Sequence, residues 1–282
     1  MTATNDGGRI VDGATRLYCI IGDPVAQTGS PRVFSERFRA AGRNAILVPF
    51  HVPDVAFEPT VRGIMALANL DGIIVTVPYK ARMLQFVDRV LPTAQKVGAV
   101  NALRREANGQ WSGDMFDGRG MVRAIAAGGR AVAGRNVMLI GTGGAGGAIA
   151  CALAEAGVAS ITLCDLNARK ARALAARLAH IAPACTLRVG PATTDGIDLF
   201  VNASPVGMKP DDGLPAPLGE LAPHVVVADV VVKDETPLLR HARACGCATV
   251  RGQDMMLGQV DEMLAFFGMS TGAIGRRPYC AD

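Results

Sequence analysis

Asn136-Val137-Met138-Leu139-Ile140-Gly141-Thr142-Gly143-Gly144-Ala145-Gly146 decides the fold of this chain. An apolar run ends in a glycine cluster, and the cluster opens an Ala-rich stretch from Gly144 to Ala156. Strand, glycine turn and helix in that order begin a βαβ unit. Gly141 suits the tight turn. Gly143 suits close approach of the backbone to an anion at the helix N-terminus, and Gly146 suits close helix–strand packing. The next apolar run, Ser160 to Cys164, leads into Asp165, an acid placed where such units bind ribose hydroxyls. Gly141, Thr142, Gly143, Gly144, Ala145, Gly146 and Asp165 are therefore the candidate dinucleotide site. A carboxylate at 165 repels a 2′-phosphate, so the reading predicts NAD over NADP.

Outward from that loop, short apolar runs alternate with helical patterns, the mark of parallel α/β construction. On the C-terminal side the strands are expected at Asn136 to Ile140, Ser160 to Cys164, Thr186 to Val189, Leu199 to Asn202, Val225 to Val230 and Ala248 to Val250. The helices between them are expected at Gly144 to Ala156, Ala168 to His180 and Pro237 to Cys245. On the N-terminal side the expected strands are Arg16 to Ile21, Ala45 to Phe50, Gly72 to Val77 and Ala99 to Leu103. Helices are expected at Pro31 to Ala41, with Ser30 as N-cap, and at Ala81 to Leu91. The reading is an N-terminal α/β substrate domain over 1–117, joined by a C-terminal helical segment 255–282. A Rossmann domain, doubly wound and mostly parallel, covers 118–254.

Composition narrows the function classes. Half of the 282 residues are apolar, and the formal charge of +4 comes from basic residues interleaved with acidic ones. That excludes the electrostatic footprint of a nucleic-acid binder. Seven cysteines in mostly apolar surroundings read as reduced, packed thiols, and Cys245 with Cys247 lacks zinc-ligand spacing, so no metal is expected. No apolar run reaches the length of a membrane span, and the opening residues lack a secretory pattern. The expectation is a cytoplasmic protein, monomer or homodimer, whose partner is a small molecule.

The segment Gly72 to Lys80 is an apolar strand ending in Val77-Pro78-Tyr79-Lys80, at the end of a parallel strand where ligands gather. Alone, Lys80 reads more readily as a solvated lysine opening a helix. Val97-Gly98-Ala99-Val100-Asn101-Ala102 and Gly113-Asp114-Met115-Phe116-Asp117-Gly118 add polar groups beside glycine turns. With Gly22-Asp23-Pro24, Ser30-Pro31, Val201-Asn202-Ala203-Ser204-Pro205-Val206-Gly207-Met208, Thr236-Pro237-Leu238-Leu239 and Met255 to Gln259, these stretches resemble the shikimate/quinate dehydrogenase family over nearly the whole chain.

The resemblance implies hydride transfer between nicotinamide and a cyclic polyol carboxylate. It makes Lys80 the acid/base and Asp117 its partner. It implies that Thr28 and Ser30 hold the substrate carboxylate and that Thr76, Asn101 and Gln259 hold ring hydroxyls. Asn202 and Ser204 would border the nicotinamide, with Val230 and Gly252 flanking the same pocket. Each of these polar residues also has a turn or capping reading. The chain departs from the family pattern at Thr28, Ile74 and Met115-Phe116, and at Val232, which aligns where the family commonly has Tyr. Such changes alter which polyol acid fits. The alternatives are another dehydrogenase on this scaffold, such as a methylenetetrahydrofolate dehydrogenase-like protein, and a catalytically silent dinucleotide-binding regulator.

Overall fold

The computed structural model describes residues 11–269; Cys280 and the end of the 255–282 segment lie outside the described residues. The described residues form two six-stranded sheets. The first half contains β1 (Arg16–Gly22), α1 (Ser30–Ala40), β2 (Ala45–His51), α2 (Phe57–Met65), β3 (Leu70–Val75), β4 (Arg89–Val90), α3 (Pro92–Val97), β5 (Ala102–Arg105) and β6 (Trp111–Asp114). Then α4 (Asp117–Ala127) leads into β7 (Asn136–Ile140), α5 (Gly144–Glu155), β8 (Ser160–Cys164), α6 (Ala168–Ile181), β9 (Thr186–Val189) and β10 (Leu199–Asn202). β11 (Val226–Asp229), α7 (Pro237–Ala244), β12 (Ala248–Val250) and α8 (Gly252–Phe266) follow.

The second sheet has the order β12-β11-β10-β7-β8-β9, and every pairing in it is parallel. That is the doubly wound Rossmann order, with its crossover point beside β7, where the glycine loop emerges. β10 and β11 are buried at all four positions, as strands covered on both faces must be. The first sheet is mixed, in the order β2-β1-β3-β5-β6-β4, with β5 antiparallel to both β3 and β6. The first sheet departs from parallel construction at this hairpin, which puts Asn101, just before β5, and Asp117, just after β6, at the same end of the β5–β6 ribbon.

Other local expectations also change. The helix expected over Ala81 to Leu91 is a short 3₁₀ turn, Arg82–Phe86, followed by β4. Apolar residues spaced for a helix are used instead to drop Met83 into the core. The strand expected from Ala99 starts at Ala102, because Val75 donates to the Asn101 carbonyl and Val100 to the Lys80 carbonyl in a connecting turn. Gly29 takes the cap position of α1, and Ser30 is its first helical residue.

One apolar cluster runs from Ile73 and Val75 of the first sheet through Met121 and Ile125 of α4 to Val137 and Leu139 of the second. A second cluster joins Met256, Val260, Met263 and Phe267 to Tyr18, Phe34 and Phe38, so α8 covers the first sheet. Helix α4 is thus pressed between α5 and α8, and small residues permit it. A Cβ on Gly118 would lie 2.1 Å from the Ala148 carbonyl oxygen, and one on Gly120 2.5 Å from the Met255 carbonyl oxygen. Gly118→Ala, which raises helix propensity, is expected instead to destabilise by about 1–3 kcal/mol in urea unfolding, because backbone must move. Unchanged or increased stability would contradict this packing.

Candidate active site

Lys80 follows β3 through a turn fixed from below by Tyr79. The buried Tyr79 ring stacks on Phe57 at 4.1 Å, and its hydroxyl donates to the Val52 carbonyl at 2.6 Å. The Lys80 ammonium pairs with the Asp117 carboxylate, whose side chain is only 2 % exposed. Asp117 is the first residue of α4, where the helix N-terminus favours an anion. Its second oxygen accepts from Asn101 Nδ2 at 2.8 Å and from Gln259 Nε2 at 3.4 Å. Asn101 Nδ2 also donates to Gln259 Oε1 at 2.9 Å, and Asn101 Oδ1 accepts from the Phe116 amide at 2.9 Å. Lys80, Asn101, Asp117 and Gln259 therefore form one buried network drawn from four separate parts of the chain. Such a charge pair holds only when its remaining hydrogen-bonding capacity is met, as here.

The glycine loop sits directly against this network. An added Cβ on Gly144 would meet Lys80 Cβ at 3.0 Å, so the lysine stem runs along the start of α5. Gly141 has φ +89° and lies against the Ala203 backbone, while a Cβ on Gly146 would lie 2.0 Å from the Gly141 carbonyl oxygen. Gly143 faces open space. Thr142 and Ala145 complete the loop around it. Backbone that must be glycine on two sides and is unobstructed on the third fits a pyrophosphate at the N-terminus of α5.

Asp165, at the end of β8, is turned into this same loop. One carboxylate oxygen accepts the Thr142 amide and hydroxyl, each at 2.7 Å, and the other accepts the Asn167 amide at 2.8 Å. Burial pushes its carboxyl up, but those hydrogen bonds and the Lys170 charge together hold it below the ordinary carboxylate value. Arg169, Lys170 and Arg172 crowd the first turns of α6, where cations oppose the helix dipole. A cleft of about 510 Å³ beside Cys164, Asp165 and Arg172 opens next to them.

The other candidate residues follow β1, β3 and β12. Thr28 and Ser30 stand at the start of α1, and the Thr28 hydroxyl donates to the Val25 carbonyl at 2.8 Å. Thr76 packs its methyl on Gly22. Gly252 begins α8, close under the Val230 and Val231 carbonyls. Ile74 and Phe116 belong to the α8-side core and Met115 to the larger cluster, so these departures from the family pattern are packed apolar residues.

Sequence reasoning missed a buried hub behind the cleft. Asp229, at the end of β11, accepts from Asn202 Nδ2 at 2.9 Å, from the Val231 amide at 3.0 Å and from the Thr236 hydroxyl at 2.6 Å. Burial raises its carboxyl, and these three donors only partly offset that. Asn202 in turn accepts the Ser204 amide and hydroxyl. The hub ties together the loops that follow β10 and β11. Its signal was an acid interrupting the apolar run Val225 to Val232.

A profile for the shikimate dehydrogenase substrate binding domain matches residues 20–103. A shikimate dehydrogenase (NADP(+)) from Symbiobacterium thermophilum is 38% identical over 88% of this chain and 87% of its own. One from Rubrobacter xylanophilus is 36% identical over 94% and 96%. The chain belongs to the shikimate dehydrogenase family. Among solved structures, shikimate 5-dehydrogenase from Listeria monocytogenes, in complex with shikimate and NAD, superposes with a TM-score of 0.79 at 29% identity, covering 92% of this chain and 93% of that one. Quinate dehydrogenase from Corynebacterium glutamicum, in complex with NAD, gives 0.78 at 28%, covering 92% and 94%.

These relatives overturn the expected preference for NAD over NADP, since those most similar in sequence are named as NADP(+) enzymes. The physical reason lies in Asp165. Spacing registers the acid, but both its oxygens are engaged by Thr142 and Asn167, and Lys170 lies close enough to act on its charge.

Thr236→Val, which keeps the shape but removes both the bond to Asp229 and the cap on the Leu239 amide, is expected to cost about 2–4 kcal/mol in denaturant unfolding. A cost below about 0.5 kcal/mol, the range of an ordinary surface change, would show the hub to be dispensable.

Proposed function

We propose that this protein is a shikimate dehydrogenase that moves a hydride reversibly between shikimate and NADP(H). The single observation carrying the reading is the Lys80–Asp117–Asn101–Gln259 network set against the glycine loop. Residues 1–117 with the returning α8 supply the substrate side, and 118–254 the dinucleotide side. Bound at Gly141–Gly146, the cofactor supplies the hydride-accepting ring. In the oxidising direction the neutral Lys80 amine takes the proton of the reacting hydroxyl and becomes the ammonium paired with Asp117, and in the reducing direction that ammonium returns the proton. Asp117 holds the ammonium in place and stabilises its charged form. Asn101 and Gln259 orient Asp117, and with Thr76 they offer polar atoms to ring hydroxyls. Thr28 and Ser30 receive the carboxylate. Arg169, Lys170 and Arg172 gather positive charge where an adenosine 2′-phosphate would lie, which supports NADP. The free cysteines Cys19, Cys151, Cys164, Cys185, Cys245 and Cys247 suit a reducing cytoplasm. Likeness to the quinate enzyme favours quinate as a second substrate.

Steady-state assays are expected to show shikimate oxidation with a higher kcat/KM for NADP than for NAD, a gap that narrows in the Arg169→Ala/Lys170→Ala double variant. Preference for NAD would contradict the cofactor assignment. Lys80→Ala is expected to lower kcat by about 10²–10⁴-fold while calorimetric NADP affinity stays within about threefold. Unchanged turnover would remove Lys80 from the acid/base role.

A further inference from the structure

The carboxylate end of the proposed substrate meets neutral hydroxyls on the first half of the molecule. The Thr28 proton is already committed to the Val25 carbonyl. A cleft of about 400 Å³ opens beside that segment, bounded by Asp23, Pro24, Gln27 and Val77 on one side and by the loops after β10 and β11 on the other. Its first-half wall contributes an acid, Asp23, which is paired with His51 at 2.7 Å, and no cation. The cations lining the cleft are Lys209 and Lys233, both from the second half.

Of the two, Lys209 is exposed and Lys233 is half-buried. Lys233 is also positioned. Its amide donates to the Val231 carbonyl at 3.0 Å, closing a tight turn, and its Nζ donates to the Gly207 carbonyl at 3.0 Å. Both ends of its loop are tied to the Asp229 hub, through the Val231 amide and the Thr236 hydroxyl. A carbonyl partner leaves the ammonium with two further donors and its full charge. Asp212, the nearby acid whose carboxyl Lys233 helps to lower, uses one oxygen for the Gly207 and Lys209 amides.

We propose that Lys233 is a specificity-determining residue that reaches across the cleft to pair with the substrate carboxylate, supplying the positive charge that Thr28 and Ser30 lack. It stands next to Val232, where the chain departs from the family pattern and has no hydrogen-bonding side chain. The clamp is made from both halves: the anion rests on α1 and the cation comes from the loop after β11. Acidic polyols are thereby selected over neutral ones of the same shape. This inference rests on the shikimate reading of the site.

The test compares shikimate with its methyl ester, which keeps the ring hydroxyls and loses the charge. For K233M, KM for shikimate is expected to rise about tenfold, the scale of one charged hydrogen bond, with kcat within about twofold. KM for NADP and KM for the ester should stay at their wild-type values, and K233R should keep most of the affinity for shikimate. An unchanged shikimate KM in K233M would overturn the proposal. So would equal increases for acid and ester, which would assign Lys233 to loop shape alone. A wild-type enzyme without turnover on shikimate would instead overturn the functional reading, and this inference with it.

Discussion

A buried carboxylate at the head of α4 is the constraint around which the two halves are arranged. Asp117 is nearly inaccessible to water, and a charge so placed is costly unless every oxygen has a partner. Its partners come from the turn after β3, from the start of β5 and from the middle of α8. Those three segments meet because β5 runs antiparallel to β3 and α8 returns to the first sheet. The same helix that begins with Asp117 must then pack between α5 and α8, which is why it carries Gly118 and Gly120 where backbones nearly touch. Chemistry and packing are satisfied by one arrangement.

The dinucleotide side is built to abut that arrangement. Gly144 receives the stem of Lys80, so the lysine and the glycine loop are held in direct contact. Behind the opposite wall, Asp229 fixes the loops after β10 and β11 through Asn202 and Thr236. Both walls of the cleft thus stand on buried, hydrogen-bonded acids, and the rigid parts place groups that lie on loops.

The second half was legible in the sequence almost to the residue, because each parallel strand there is a short apolar run closed by a glycine, a capping residue or an acid. Thr236-Pro237 and Asn167 mark helix starts in the letters and in the structure alike. The first half was less legible. Helix α2 carries Pro59 and Gly63, both poor helix formers, and its existence rests on burying Phe57 and Val61. Ala81 to Leu91 has helical spacing, yet its apolar residues serve a 3₁₀ turn and an edge strand. Lys80, Asn101, Asp117 and Gln259 could be named from motifs, but their convergence is a tertiary fact. Asp165 shows the opposite failure: the residue was read, while the hydrogen bonds that engage its charge were invisible.

In the proposed reaction Lys80 and Asp117 act as one unit on the transferred proton. A double-mutant cycle on kcat/KM for shikimate, using Lys80→Ala, Asp117→Ala and the combination, measures that coupling. A strongly non-additive cycle is expected, with the double variant within about threefold of Lys80→Ala alone. Losses that multiply, leaving the double variant far below either single one, would mean that the two residues contribute independently and would contradict it.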